Sequence, residues 1–129
     1  MSQPVIASSP AEPLSAQAVD TSPDASPASP TVADVVAMLR TAAPPELAES
    51  WDSNQLICGD PAESVGSVLL AVDPVTAVVE EAIERGVDMV ITHHPLYLRG
   101  TDHVSATDPK GRSVHRLIRA GIALANAHT

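Results

Sequence analysis

Two histidines stand side by side at positions 93 and 94, in ITHHPLYLRG (91–100), at the end of an apolar run and directly before Pro95. The chain has five histidines in all, and a third of them, His128, follows another apolar run, IALANA. Neutral imidazole is the commonest protein ligand for zinc and iron, so a histidine pair joined by a third from a neighbouring strand makes a start on a divalent-metal site. Adjacent residues of a regular strand face opposite sides of the sheet, so the doublet can serve one centre only where the strand stops. Pro95 supplies that stop, because proline cannot continue a central strand. Taken singly, each histidine is more often a hydrogen-bonded loop or core residue than a ligand; three on one edge are what favours a metal. His103 falls in a loop and His115 on a helix, without partners at useful spacing. Asp73 also ends an apolar run, and there a helix cap is the first reading and a ligand the second.

Other chemistries lack a local signature. There is no GxGxxG or GxxxxGK[ST] phosphate cradle and no GxSxG elbow. The lone Cys58 has no thiol partner and no obvious base, and reads as a small half-buried hydrophobe in a reducing compartment.

Three strands with two intervening helices must position these residues. SVLLAVD (67–73) is a short apolar run of the kind covered on both faces of a sheet, followed by Asp73 and Pro74 as cap and first turn of a helix. Val75, Val78, Val79, Ala82 and Ile83 form one face of that helix and Gly86 ends it. VDMVIT is the second strand. Asp108 and Pro109 then open a helix with Val114, Leu117 and Ile118 as its apolar stripe, Gly121 closes it, and IALANA is the third strand. Upstream, Val32, Val35, Val36 and Leu39 fall at helical spacing behind Thr31 and Asp34, a capping box with Asp in place of Glu, and Pro44 and Pro45 stop that helix. Connections of this length make right-handed crossovers, hence parallel strands, with ligands expected at the strands' carboxyl ends. Those ends carry Asp73, His93 with His94, and His128.

The predicted fold class is therefore α/β: a partial three-layer fold with a parallel sheet of at least three strands. A disordered tail rich in Pro, Ser and Ala is expected over residues 1–30, which hold six of the twelve prolines. With no Phe and 2% aromatic residues, the core must be aliphatic. The formal charge of −9 opposes nucleic-acid binding. No secretory signal or run of about 18 apolar residues is present, so a cytoplasmic protein without membrane contact is expected.

WDSNQLICGD, VLLAVD, VDMVITHHPL, DPKGRSVHRLIRAGIAL and AHT, in this order and spacing, resemble the N-terminal half of the Nif-three-like family, whose members are often labelled GTP cyclohydrolase 1 type 2 homologues. The resemblance runs over 31–129. It implies an α/β protein carrying a dinuclear centre of zinc or iron and forming hexameric homo-oligomers. The family's THHP histidines are metal ligands and map onto His93 and His94, between Thr92 and Pro95; its HT motif maps onto His128. Trp51 and Asp52 match the family's Trp-Asp pair, Gly59 and Asp60 its Gly-Asp, and all four are expected to shape the site's surroundings.

Two departures are visible. Gln55 stands where the family has Gly, which implies strain if that position needs a positive φ. The family's further Asp, His and Glu ligands lie beyond the point where this sequence stops at Thr129, so a truncated cage is expected. These readings lead to a metal-ion-binding protein, a truncated dinuclear-metal hydrolase in type, with catalytic residues and small-molecule substrate unknown. The alternatives are a non-catalytic interaction or assembly module, or a fragment without function.

Overall fold

Val68–Ala71, Met89–Thr92 and Ala123–Asn126 pair in parallel with no slip: Leu70 sits beside Ile91 and Ile91 beside Ala125. In the computed structural model, which describes residues 28–128, these are β2, β3 and β4. A further strand, β1 (Leu56–Cys58), pairs antiparallel with β4 and gives the order β1-β4-β3-β2. The three parallel strands match the sequence expectation, and the antiparallel β1 adds a fourth strand that makes the sheet mixed. Three residues flanked by polar loop and Gly59 are too short to show a period.

Helix α1 (Val32–Ala42) covers one face of the sheet, and α2 (Thr76–Arg85) and α3 (Pro109–Arg119) cover the other. Val32 and Val35 pack with Met89, Ala123 and Ala125. Val79, Ala82, Val114 and Leu117 pack with Val90, Ile122 and Leu124 on the opposite side. β4 is buried at all four positions, as a central strand between two helix layers must be.

The expected capping box is present: Thr31 Oγ1 accepts from the Asp34 amide at 3.2 Å, and Asp34 Oδ2 accepts from the Thr31 amide at 2.8 Å. Those bonds hold the Asp34 carboxyl below its ordinary range. Asp108 caps α3, with Pro109 in the first turn. Gly86 and Gly121 close α2 and α3 at φ +64° and +70°, conformations that suit glycine.

Three expectations need correction. β2 is an edge strand with only one face covered: Val68 is 40% and Leu70 73% exposed, because α1 does not reach beyond β3. Asp73 is not the cap of α2. The chain bends after β2, the N-cap is Val75 without a side-chain bond, and Asp73 stays at the strand end with its carboxylate turned to His94. Ile118 is exposed on α3, whose buried side is Gly111, Ser113, Val114 and Leu117. Within the expected tail, residues 1–27 lie outside the described residues, while Pro30 is tied to the domain through its carbonyl, which accepts from the Val65 amide at 2.7 Å.

Candidate metal centre

The carboxyl ends of β3 and β4 bring the histidine doublet and His128 to one rim. Ring centroids of His93 and His128 lie 4.5 Å apart, those of His93 and His94 4.7 Å, and those of His94 and His128 5.6 Å. One ring nitrogen from each falls within 4.8 Å of the other two.

The backbone shows how neighbouring residues share an edge. In a regular parallel ladder a strand bonds to a given neighbour through alternate residues. Here the successive amides of His93 and His94 donate to Ala71 O at the end of β2, at 3.1 Å, and to Val72 O just beyond it, at 2.9 Å. The ladder has therefore lost its alternation at the doublet. Thr92, 2% exposed, locks the turn by donating its hydroxyl to the His94 carbonyl at 2.6 Å. Pro95 follows and brings no amide with which to resume the strand.

Each outer histidine is held by a carboxylate. His94 Nδ1 lies 2.6 Å from Asp73 Oδ1, and His128 Nδ1 lies 2.7 Å from Asp52 Oδ2. An ionised carboxylate only accepts, so Nδ1 carries the proton in both and Nε2 keeps its lone pair for a ligand bond. The two pairs differ in setting. Asp73 and His94 are 56% and 45% exposed at their side chains, so water screens them; Asp52 is 5% exposed and His128 26%. Burial pushes the Asp52 carboxyl up. The hydrogen bonds from His128 and the Ser53 amide outweigh that and leave it below its ordinary value.

Asn54 fixes the backbone of His128: its Oδ1 accepts from the His128 amide at 2.6 Å and its Nδ2 donates to the His128 carbonyl at 3.4 Å. Asn126, 3% exposed, donates to the Ser53 carbonyl and so ties β4 to the Trp51–Asn54 loop. Neither asparagine was singled out from the sequence; the one available signal was a polar residue inside the apolar run IALANA. Trp51 meets the His128 ring edge-on at 6.0 Å between centroids. Thus Trp51, Asp52, Asp73, Thr92 and Pro95 all stand around the three imidazoles. His103 instead pairs with exposed Asp102, His115 reaches the Val104 carbonyl, and neither belongs to the three-histidine cluster.

The donor set fits a transition-metal ion. Zinc at about 2.0–2.1 Å from each nitrogen requires nitrogens closer than about 4.2 Å, against a spread of up to 4.8 Å here. A family model described as Duf34/NIF3 (NGG1p interacting factor 3) matches residues 30–129. The chain belongs to the DUF34/NIF3 family. It is similar, at 53% identity over 98 residues, to a Mycobacterium tuberculosis protein named GTP cyclohydrolase 1 type 2 homolog, covering 76% of this chain and 25% of that protein. A Streptomyces coelicolor protein of the same name is 50% identical over 100 residues, covering 78% and 35%. The crystal structure of a Staphylococcus aureus protein superposes with TM-score 0.72 at 37% identity, over 78% of this chain and 28% of that one. The chain thus spans about a quarter to a third of the length of these relatives.

Two expectations tied to the DUF34/NIF3 resemblance are revised by the geometry. Gly59, at φ +117°, lies against Ala123 at the amino end of β4, where an added Cβ would come 2.6 Å from the Ala123 Cβ. Gly59 therefore serves sheet packing at the end opposite the rim, and exposed Asp60 beside it accepts from the Ala62 amide at 2.9 Å. Gln55 carries no strain, since no non-glycine among the described residues has a positive φ; its carbonyl accepts from the Asn126 amide at 3.1 Å.

Proposed function

We propose that the rim of His93, His94 and His128 binds a divalent transition-metal ion, zinc or iron, as part of a dinuclear, hydrolase-like centre of the DUF34/NIF3 type. The observation that carries this is the pairing of Asp73 with His94 and of Asp52 with His128. Each carboxylate fixes a tautomer and leaves Nε2 as the donor, the arrangement usual around ligating histidines. When bound, such an ion supplies Lewis-acid chemistry, lowering the pKa of a coordinated water and polarising a substrate oxygen. The protein's own part is positional. Thr92 holds the turn that aligns the doublet, Asn54 clamps the backbone of His128, and the Asp52 carboxylate balances positive charge gathered at the rim.

The test is metal content and zinc titration of the purified chain. One tightly held ion, lost on changing His93 and His94 together to Ala and weakened by His128→Ala, supports the reading. A cooperatively folded chain that takes up no zinc or iron refutes it.

A second reading, self-association, is favoured by Val68, Leu70 and Val72, which are 40%, 73% and 58% exposed along edge strand β2. An apolar rib beside unpaired strand groups is a template for pairing. Light scattering should show an oligomer that Leu70→Lys dissociates; a monomer at all concentrations refutes it.

A further inference from the structure

A cleft of about 370 Å³ opens beside His128, with Pro44, Leu47, Ala48 and Trp51 in its apolar wall and Glu49, Asp52, Asn54 and His128 as its polar groups. An apolar hollow with polar groups converging at one end is the usual form of a small-molecule site, and this volume lies at the small end of the range of about 300–1,000 Å³.

Trp51 is the chain's one tryptophan, yet it is 59% exposed and adds little to either core. Leu47 beside it is 81% exposed. In a chain that builds its whole interior from aliphatic residues, the largest flat apolar surface is left at the mouth of a cleft. A flat ring stacking there would gain aromatic contact together with apolar burial. Charge narrows the class. Glu49 and Asp52 are the acidic residues among those lining the cleft, which holds no lysine or arginine. An anion gains nothing from these walls, whereas a neutral or cationic molecule is tolerated or attracted.

We propose that this cleft binds a small flat aromatic or heteroaromatic molecule, neutral or cationic, stacked on Trp51 with any cationic group toward Glu49 and Asp52. The inference deepens the metal-site reading and rests on it for what the rim does to the bound molecule; the binding itself is measured without metal.

Trp51 is its own reporter, because no other tryptophan contributes fluorescence. The full chain, stripped with EDTA, is titrated with benzylamine, with benzoate, and with cyclohexylmethylamine as a cation of similar size without a flat ring. Benzylamine should change the emission saturably, and benzoate and cyclohexylmethylamine should bind about tenfold more weakly. Calorimetry on Trp51→Ala, a substitution at an exposed site, should show benzylamine binding weakened by a similar factor. A linear, non-saturating response to benzylamine overturns the proposal, as do equal affinities for the three probes or unchanged binding by Trp51→Ala. Saturable benzylamine binding by a chain that never takes up zinc supports the cleft while removing the metal reading. Zinc uptake without saturable benzylamine binding does the reverse.

Discussion

Asp52→Asn isolates the charge of the buried carboxylate from its shape. In the wild-type chain Asp52 accepts from His128 Nδ1 at 2.7 Å and from the Ser53 amide at 2.7 Å, with its side chain 5% exposed. Asparagine keeps the volume and one acceptor oxygen, so the loop should fold. It removes the negative charge that favours Nδ1–H and leaves His128 a poorer donor. Loss of such a carboxylate partner typically weakens metal binding by about 10–100-fold, or about 1.4–2.7 kcal/mol. We expect the middle to upper part of that range because water screens this pair little. The assay is zinc competition against a chromophoric chelator near neutral pH. Asp102→Asn is the control: Asp102 also contacts a histidine, at 2.8 Å, but is 98% exposed and its partner His103 is not one of the three clustered histidines, so its removal should leave affinity unchanged. The reasoning fails if Asp52→Asn binds zinc as tightly as wild type, or if the Asp102 control weakens it equally.

Other outcomes follow from the same contacts. Because the folded pKa of Asp52 lies below its ordinary 3.8, the carboxylate stabilises the fold above that pH, and this contribution is lost as pH falls through the lower folded value; urea melts at descending pH should show a shallower acid decline for Asp52→Asn. Burial pushes the Cys58 thiol up to about 11, so a disulfide reagent near neutral pH should modify it far more slowly in the native chain than in urea, and equal rates would contradict its packing. Leu117→Ala, at a position 0% exposed between α3 and the sheet, should cost about 2–5 kcal/mol in chemical denaturation. Gly59→Ala should lower the melting temperature clearly and leave zinc affinity of the folded fraction intact, since its clash is with Ala123 at the far end of β4.

Legibility in the sequence followed the length and isolation of each signal. α1 and α3 were readable because Thr31 with Asp34, and Asp108 with Pro109, make caps from neighbours three residues apart or fewer. The parallel strands were readable because each is an apolar run bounded by turn residues. Asp73 misled as a cap since Asp-Pro is ordinarily a helix start, whereas here the carboxylate is drawn to a histidine 21 positions away and the helix opens later. No local rule contains that competition. The uncovered face of β2 was equally hidden: composition shows an apolar run but not how far the neighbouring helix extends. At the rim, His93, His94 and His128 could be placed together from topology alone. The roles of Asn54 and Asn126 could not, because their bonds bridge more than seventy positions and exist only once β1 pairs antiparallel with β4.

The rim gathers its groups from four stretches of chain, around Asp52, Asp73, the His93–His94 doublet and His128, which meet only when the sheet is complete. No short peptide cut from this sequence carries the constellation. An ion seated there would fasten the carboxyl ends of β3 and β4 to the loops behind them, so its affinity becomes part of the folding equilibrium and chelation loosens the whole domain. Cellular metal supply would then set the lifetime of the folded protein as directly as it sets the chemistry.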